Sequence, residues 1–414
     1  ALYFPDGDGN GFDNTAYYLN EYQKDGDSIN ILAGDIFQGQ YVSNMTHGKA
    51  FIDVINLMDF DCFVIGNHEF DWGLDVLKSY KDGDLTNGEL NIPFLGANIY
   101  YKGTDSHPDF IDPYMIVNYG NVKVGVIGMI GDSIENSIDA NRVGNYEFKN
   151  CQQLTRNYSK ILHQDYDCDY VVLAIHDYDE EDFSYFASFN GDERIDLIFG
   201  GHTHYVKNDR FVRSDGSYLY ALQGGANNER IVTAKIDIAT NVSSYKFDYY
   251  SSNRDSEIQD YLLTNFGDFI SQANEVVAML DRRKDEYEIG TETVEYYMDY
   301  YNVQAAFINT AGVRDSLPYG EITNNDILKV YPFDNLLYDV VMSGRDLYYL
   351  LRNQQDFLYS ASRGNIDISY DVYYHVITIN YVYTGSYYRS YLKDSYFKNL
   401  NVTLRESYLS YLQA

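Results

Sequence analysis

The stretch CFVIGNHEF, residues 62–70, runs from an apolar segment directly into Gly66, Asn67, His68 and Glu69. A short apolar run that ends at a turn is typical of a buried strand. The same pattern occurs three more times in the chain: Gly34-Asp35 follows residues 29–33, His176 follows residues 170–175, and Gly200–His204 follows residues 195–199. Helical stretches separate these runs. The sequence therefore predicts a wound α/β sheet whose strand ends bring Asp, Asn and His side chains into one crevice.

Carboxylate, amide and imidazole groups from several strand ends are the ligands that divalent metals use in proteins. Each segment alone also has a simpler explanation. Gly34-Asp35 would suit a helix N-cap or a turn, and the Gly-His-x-His run at residues 201–204 would suit a surface turn with satisfied imidazoles. Taken together in this order, the segments favour metal binding over a set of unrelated turns.

Length and charge limit the classes of protein to consider. A chain of 414 residues is too long for one ordinary core, so two domains are expected. The formal net charge of −32 argues against DNA, RNA or an anionic membrane as the main partner, because phosphate backbones attract a basic surface. No stretch approaches the apolar length of a membrane span. The three cysteines have no CxxC spacing and imply no disulfide framework.

The chain divides by composition. Strand-like and helix-like segments alternate up to about residue 245, residues 241–255 are polar and rich in turn formers, and residues 258–280 recover a helical apolar rhythm. We therefore expect a strand-poor linker at 241–255, a connecting helix at 258–280, and a second α/β unit that runs from about residue 276 to the end.

The chain resembles the 5′-nucleotidase family, within the calcineurin-like metallophosphoesterases. The segments that carry the resemblance are Gly34–Gly39, Gly66–Gly73, Ala97-Asn98, Gly200–His204, Asn309–Arg314, Gly320–Thr323 and Pro332–Asn335. The resemblance implies an α/β fold in which a four-layer α/β/β/α metallophosphoesterase sandwich, residues 1–248, is followed by a smaller α/β substrate-binding domain, residues 276–414.

The resemblance also implies roles for the strand-end residues. Asp35 would bridge two divalent cations, zinc or manganese; Asn67, His176 and His202 would complete the second metal site, and His204 would belong to the first. Hydrolysis would proceed by attack of a metal-bound hydroxide. The catalytic pair would be His68, which stabilises charge on the phosphoryl group or leaving oxygen, and Asp71, which fixes its tautomer.

One departure concerns the first metal site. The family adds an Asp-x-His pair after its first strand, shortly before a segment like Gly11–Glu21, and the given sequence begins at Ala1. We therefore expect an incomplete first site in an N-terminally truncated form of an active enzyme.

In the second domain the resemblance implies that Arg283, Asn309 and Arg314 bind the substrate. The two arginines suit a phosphate, because a planar guanidinium group donates paired hydrogen bonds to it. Phe333 and Tyr381 would stack on the nucleobase, although both rings would also suit the core of a Tyr-rich domain. A second departure is Tyr387, which stands where the family has an Asp that holds the ribose hydroxyls.

The sequence thus predicts a metal-dependent phosphoesterase that hydrolyses 5′-nucleotides to a nucleoside and phosphate. Two alternatives stay open: a related esterase acting on cyclic nucleotides or nucleotide sugars, and a non-catalytic nucleotide-binding surface protein. The expected partner is a small-molecule nucleotide and not a nucleic acid polymer. An extracellular or cell-envelope location is implied by the resemblance.

Overall fold

The computed structural model describes residues 11–24, 26–132, 134–139, 142–226, 228–237, 241–249, 252–362, 368–385 and 387–414. The chain forms two compact units. The first ends at Gly267, and the second consists of Asp268–Ala414 with two three-residue segments from earlier in the chain. The predicted domain boundaries, 1–248 and 276–414, stay a prediction.

Strands and helices alternate along the first part of the chain. The strands are β1 (Ile31–Leu32), β2 (Cys62–Val64), β3 (Phe94–Leu95), β4 (Ile99–Tyr101), β5 (Ile111–Asp112), β6 (Tyr114–Tyr119), β7 (Val122–Ile130), β8 (Tyr146–Phe148), β9 (Tyr170–His176), β10 (Leu197–Gly200), β11 (Val206–Val212), β12 (Tyr218–Gly224), β13 (Arg230–Asp237) and β14 (Asn241–Tyr249). The α-helices are α1 (Phe12–Gln23), α2 (Tyr41–Met45), α3 (Lys49–Ile55), α4 (Leu74–Ser79), α5 (Cys151–Gln164), α6 (Glu180–Phe186) and α7 (Ser256–Ala273), with 3-10 turns at His68–Phe70, Ile134–Ser137 and Gly191–Glu193.

Two sheets dominate the described part of the first unit. One has the strand order β1-β2-β3-β5 and is parallel throughout; the other has the order β11-β12-β10-β9-β7-β6, with parallel pairing from β12 to β7. A hydrophobic core that includes Cys62 and Leu95 from the smaller sheet and Val126, Val172 and Leu197 from the larger sheet lies between them. The two sheets therefore pack face to face.

Strand β9 shows why the larger sheet is covered on both faces. Tyr170, Val172 and Ala174 face the core between the sheets, whereas Val171 and Leu173 face a second core. Successive side chains of a strand point to opposite faces, so a continuous apolar run fits a sheet with both faces buried. The second core also contains apolar residues of α5 and α6, which cover the outer face.

The expectation of a strand-poor linker at residues 241–255 is wrong in part. Residues 241–249 form β14, which pairs antiparallel with β13. Phe247 lies opposite Val232, and both pack against the core between the sheets, so Phe247 attaches a mostly polar strand to the core. The connecting helix α7 also ends earlier than expected, at Ala273.

The second unit is a smaller α/β structure. Its strands are β15 (Val276–Leu280), β16 (Ala305–Asn309), β17 (Gly320–Thr323), β18 (Leu336–Ser343), β19 (Leu358–Ser362), β20 (Tyr373–Ile379) and β21 (Tyr396–Thr403). Its α-helices are α8 (Glu286–Tyr300), α9 (Asn324–Val330), α10 (Gly344–Asn353), α11 (Asn380–Thr384), α12 (Arg389–Leu392) and α13 (Leu404–Leu412), with a 3-10 turn at Thr310–Gly312. The main sheet has the strand order β19-β16-β20-β18-β21 among the described residues.

The end of the expected helix at 258–280 is strand instead, because residues 276–280 form β15, which pairs antiparallel with β17. Cys62, Cys151 and Cys168 are all buried and free. None of the helices in the described ranges has the length and apolarity needed to span a membrane.

Candidate metal centre

The predicted ligands occupy the ends of four strands of the first unit. Asp35 follows β1, Asn67 follows β2, His176 is the last residue of β9, and His202 follows β10. Asp35 and His202 have φ values of 57° and 67°, a left-handed conformation that costs energy for residues other than glycine. Strained backbone of this kind clusters at functional sites, and here it occurs at two predicted ligands.

The side chains of Asp35, His176 and His202 converge. One ligand atom from each lies within 4.8 Å of the others, and His176 is 1% exposed. The buried Asn67 joins this cluster, since its Oδ1 atom lies 3.0 Å from Nδ1 of His202. The four residues that the sequence assigned to the second metal site thus lie together.

The tautomer of His176 shows whether a cation fits. Its Nδ1–H donates a hydrogen bond to the carbonyl of Ala33 at 2.7 Å, which leaves a lone pair on Nε2 in the neutral ring. That Nε2 atom is buried and makes no well-formed hydrogen bond among the described residues, although Oδ2 of Asp35 lies 3.0 Å away. Two lone pairs so close repel each other unless a proton or a cation lies between them. A metal-ligating histidine commonly donates its other N–H to a carbonyl in this way, so the residues present fit a divalent cation.

The charges in the cluster fit the same ligand. Burial raises the pKa of Asp35, but the neighbouring His176 and His68 together lower it by more than burial raises it. The pKa of Asp35 therefore lies below its usual value, and the carboxylate is ionised. Burial and the nearby His176 lower the pKa of His202 to about 4, so this ring is neutral at pH 7. For His176, burial lowers the pKa, but the Asp35 charge raises it above its usual value, since a proton can take the place of the cation.

Close packing around the ligands explains two glycines. A Cβ atom on Gly34, whose φ is 87°, would lie 2.5 Å from Nδ1 of His176, and a Cβ atom on Gly66 would lie 2.5 Å from Oδ1 of Asp35. Larger residues at either position would displace a predicted ligand.

The predicted catalytic pair is formed. Nδ1 of His68 lies 2.9 Å from Oδ2 of Asp71, and each side chain is 17% exposed. The backbone N–H of His68 donates to Oδ1 of Asp35 at 2.9 Å, which ties the pair to the cluster. Hydrogen bonding at Nδ1 fixes the tautomer of the His68 ring and orients its Nε2 atom.

Glu69 is the site residue whose role the sequence analysis missed. It is 1% exposed, and its two oxygens accept four backbone N–H groups: Gly66 at 2.7 Å, Asp35 at 2.8 Å, Ile36 at 2.7 Å and Phe37 at 3.3 Å. Burial and the Asp35 charge raise the pKa of Glu69, whereas the four donors favour its carboxylate. Glu69 thus joins the turns after β1 and β2. Its place three residues after Gly66 is the only sequence signal for this role.

His204, predicted as a ligand of the first metal, is exposed and lies outside the three-residue cluster found among the described residues. Its φ of 63° places it in the same left-handed conformation as His202. The role of His204 stays a prediction.

The predicted substrate residues all lie in the second unit. Asn309 ends β16 and is buried, and its Oδ1 atom has no hydrogen-bond partner among the described residues. Such an acceptor needs a donor from a ligand or water. Arg283 and Arg314 are exposed; Arg283 donates to Oγ of Ser316 at 3.0 Å.

The predicted aromatic residues Phe333 and Tyr381 are half-buried, and the guanidinium carbon of Arg314 lies 6.0 Å from the centre of the Phe333 ring. This contact brings a predicted phosphate-binding residue next to a predicted base-binding ring. Tyr387, which the resemblance places where the family has a ribose-binding Asp, is exposed.

Comparisons with known proteins concern the family and the fold of the chain. The family profile described as "5′-nucleotidase, C-terminal domain" matches residues 243–387, and a 5′-nucleotidase of Vibrio parahaemolyticus is 24% identical over 383 residues. The chain is thus similar to the 5′-nucleotidase family, and residues 243–387 match that family's C-terminal domain. The Vibrio alignment covers 79% of this chain and 67% of that relative. A cell wall protein of Listeria monocytogenes is 26% identical, and the alignment covers 79% of this chain and 49% of that protein.

The fold of the chain also matches a solved structure. The 5′-nucleotidase precursor from Thermus thermophilus superposes with a TM-score of 0.82 at 18% identity, over 97% of this chain and 90% of that one. The predicted family and the predicted α/β fold class are thereby confirmed. The chain spans about two thirds of the Vibrio relative and half of the Listeria protein.

Proposed function

We propose that the chain is a metal-dependent phosphoesterase that hydrolyses 5′-nucleotides to a nucleoside and phosphate. The observation that carries the proposal is the 3.0 Å distance between Nε2 of His176 and Oδ2 of Asp35, next to His202 and Asn67, in a chain whose second unit matches the 5′-nucleotidase C-terminal domain. Named relatives of this chain include 5′-nucleotidases of two Vibrio species.

Asp35, Asn67, His176 and His202 would hold one divalent cation, and Asp35 with His204 would contribute to a second. Mixed oxygen and imidazole donors suit zinc and manganese. When bound, such cations supply Lewis-acid chemistry that activates water and offsets charge on a phosphoryl group. The residues that the family adds to the first site precede the segment Gly11–Glu21, so the first site stays a proposal.

The role proposed for His68 follows from its hydrogen bond. With Nδ1 donating to Asp71, the Nε2 atom of His68 can donate a hydrogen bond or a proton to the oxygen that leaves phosphorus. Asp71 would stabilise the protonated ring that this step requires. Glu69 would keep the backbone of Asp35 fixed while charge changes nearby.

Substrate binding would rest on the second unit. The chain is strongly acidic, so a phosphate needs local cations, which Arg283 and Arg314 would supply through paired hydrogen bonds. The Oδ1 atom of Asn309, which has no partner in the described part of the chain, would accept a hydrogen bond from the nucleotide. Phe333 and Tyr381 would stack on the base, an interaction that tolerates any nucleobase.

A second candidate keeps the metal centre and changes the ester. The exposed Tyr387 cannot accept the two hydroxyl protons that a carboxylate accepts. A relative from Bacillus subtilis, 22% identical over 77% of this chain, is named a trifunctional nucleotide phosphoesterase. Cyclic nucleotides or nucleotide sugars are therefore the alternative substrates. An extracellular or cell-envelope location is proposed from the family and from the Listeria cell wall protein.

The test is phosphate release from AMP, cyclic AMP, UDP-glucose and p-nitrophenyl phosphate by the metal-stripped chain supplied with manganese or zinc. A coupled phosphatase is needed for the cyclic and sugar substrates, because their first cleavage leaves a phosphomonoester. We expect turnover of AMP that disappears in His176→Ala and persists in His375→Ala, which alters an exposed histidine of the second unit. Metal binding without turnover of any substrate would favour the non-catalytic nucleotide-binding alternative.

A further inference from the structure

Phe333 lies on the turn between α9 and β18, and its backbone is held by one side chain from the C-terminal helix. Nη1 of Arg405 donates to the carbonyl of Tyr331 at 2.9 Å and to that of Pro332 at 3.3 Å, and Nη2 pairs with the carboxylate of Asp334. One guanidinium group therefore contacts the chain on both sides of Phe333.

Arg405 is itself well fixed. Helix α13 begins at Leu404, and its N-cap residue Thr403 forms a capping box with Glu406. The N–H of Leu404 also donates to the carbonyl of Asn335 at 2.7 Å, next to the turn that Arg405 contacts. The side chain of Arg405 is only 15% exposed. The first turn of α13 is thus a rigid support for the turn that carries Phe333.

The position of Arg405 is unfavourable for its helix, which points to a different use. A cation in the first turn opposes the helix dipole, which destabilises the helix. The ion pair with Asp334 offsets this cost, and the two carbonyl hydrogen bonds use the fork geometry that only Arg provides.

The same turn is linked to the second predicted base-binding segment. The N–H of Leu336, just after the turn, donates to Oδ1 of Asn380 at 2.8 Å, and Asn380 directly precedes Tyr381. A shift of the turn would therefore be transmitted to the start of α11, which carries Tyr381.

We propose that Arg405 is a positioning residue that sets the nucleobase-stacking geometry of Phe333. The proposal rests on the proposed function, since it assumes that a base stacks on this ring. Arg405 contributes to recognition of the nucleoside part of the substrate and not to cleavage of the phosphoester.

The experiment compares Arg405→Met, which keeps the aliphatic stem, with Arg405→Lys and Arg345→Met. Arg345 is a matched control, because it is also the second residue of a helix in this unit but is exposed. For AMP we expect KM to rise roughly tenfold in Arg405→Met with kcat little changed, since stacking of one base is worth about this much. Hydrolysis of p-nitrophenyl phosphate, which has no nucleobase, should not change. Arg405→Lys should fall between wild type and Arg405→Met, and Arg345→Met should match wild type.

Calorimetric binding of adenosine to the same variants gives a readout that does not need hydrolysis. Wild type and Arg345→Met should bind adenosine equally, and Arg405→Met about tenfold more weakly. Equal losses toward AMP and p-nitrophenyl phosphate would show a merely structural role and overturn the proposal. Wild type that binds no adenosine would overturn it as well. A chain that binds adenosine as expected but releases no phosphate would refute the proposed function and leave the role of Arg405 supported.

Discussion

Glu69→Gln tests whether one buried carboxylate holds the metal centre together. The two oxygens of Glu69 accept N–H groups from both turns: Oε2 from Gly66 and Asp35, and Oε1 from Ile36 and Phe37. Glutamine has nearly the same shape but only one oxygen. Whichever way its amide turns, an NH₂ group replaces one oxygen and faces two N–H donors.

The expected cost follows from this count. Each buried donor left without an acceptor costs about 1–3 kcal/mol, so two such donors cost about 2–6 kcal/mol. The two hydrogen bonds that remain lose their charged acceptor and weaken further. Because Asp35 has a left-handed backbone, it has a more relaxed conformation to adopt once Glu69 releases it, so cation affinity should fall together with stability.

The assay is urea unfolding followed by the fluorescence of Trp72. This is the single tryptophan of the chain and lies in the first unit, so the signal reports that unit and not the second. The control is Glu135→Gln, an exposed glutamate that also lies in a 3-10 turn, for which we expect a change under about 0.5 kcal/mol. If Glu69→Gln and Glu135→Gln unfold at the same urea concentration as wild type, the bridging role of Glu69 is wrong.

Three further predictions concern chemistry, substrate binding and pH. His68→Ala should lower kcat for phosphate release from AMP about 10²–10⁴-fold while a cation still binds. Asp71→Asn should lower kcat less. Loss of cation binding in either variant would contradict the assigned roles. Arg314→Lys should raise KM for AMP several-fold with a smaller effect on kcat, because lysine lacks the planar fork; an unchanged KM would exclude Arg314 from the phosphate site. His107 donates from Nδ1 to the carbonyl of Ile99 and accepts at Nε2 from the hydroxyl of Tyr158. Burial lowers the pKa of His107 below its usual value of 6.5, so the unfolded chain takes up a proton before the folded chain does. The first unit should therefore lose stability as pH falls below about 6.5. His107→Gln should flatten this pH dependence, and an identical slope in the variant would refute the assignment.

The strand ends could be predicted from the sequence because each apolar run stops at a polar turn. Asp35, Asn67, His176 and His202 belong to four separate strands, and parallel pairing of those strands brings their carboxyl ends to one edge of each sheet. Local sequence was therefore sufficient to identify the cluster, once the order of segments was known.

Other features depend on contacts that the sequence does not display. Strand β14 looked like a linker because most of its residues are polar; its pairing with β13 and the packing of Phe247 on the core are contacts that composition does not show. The helix expected at 258–280 ends early because residues 276–280 pair with β17, a strand distant along the chain. Glu69 and Arg405 act on backbone groups, which every residue offers, so no pattern of side chains indicated their partners.

The most direct test of the metal centre is cation binding by the metal-stripped chain. Equilibrium dialysis against manganese or zinc, with elemental analysis, would compare wild type with His176→Ala/His202→Ala and with the exposed control His375→Ala. We expect wild type and the control to bind at least one ion per chain, and the double variant to lose more than the roughly 10–100-fold in affinity that disturbing an outer-shell partner causes. Binding that is equally tight in all three proteins, or absent from wild type, would contradict the assignment of Asp35, His176 and His202 as a metal site.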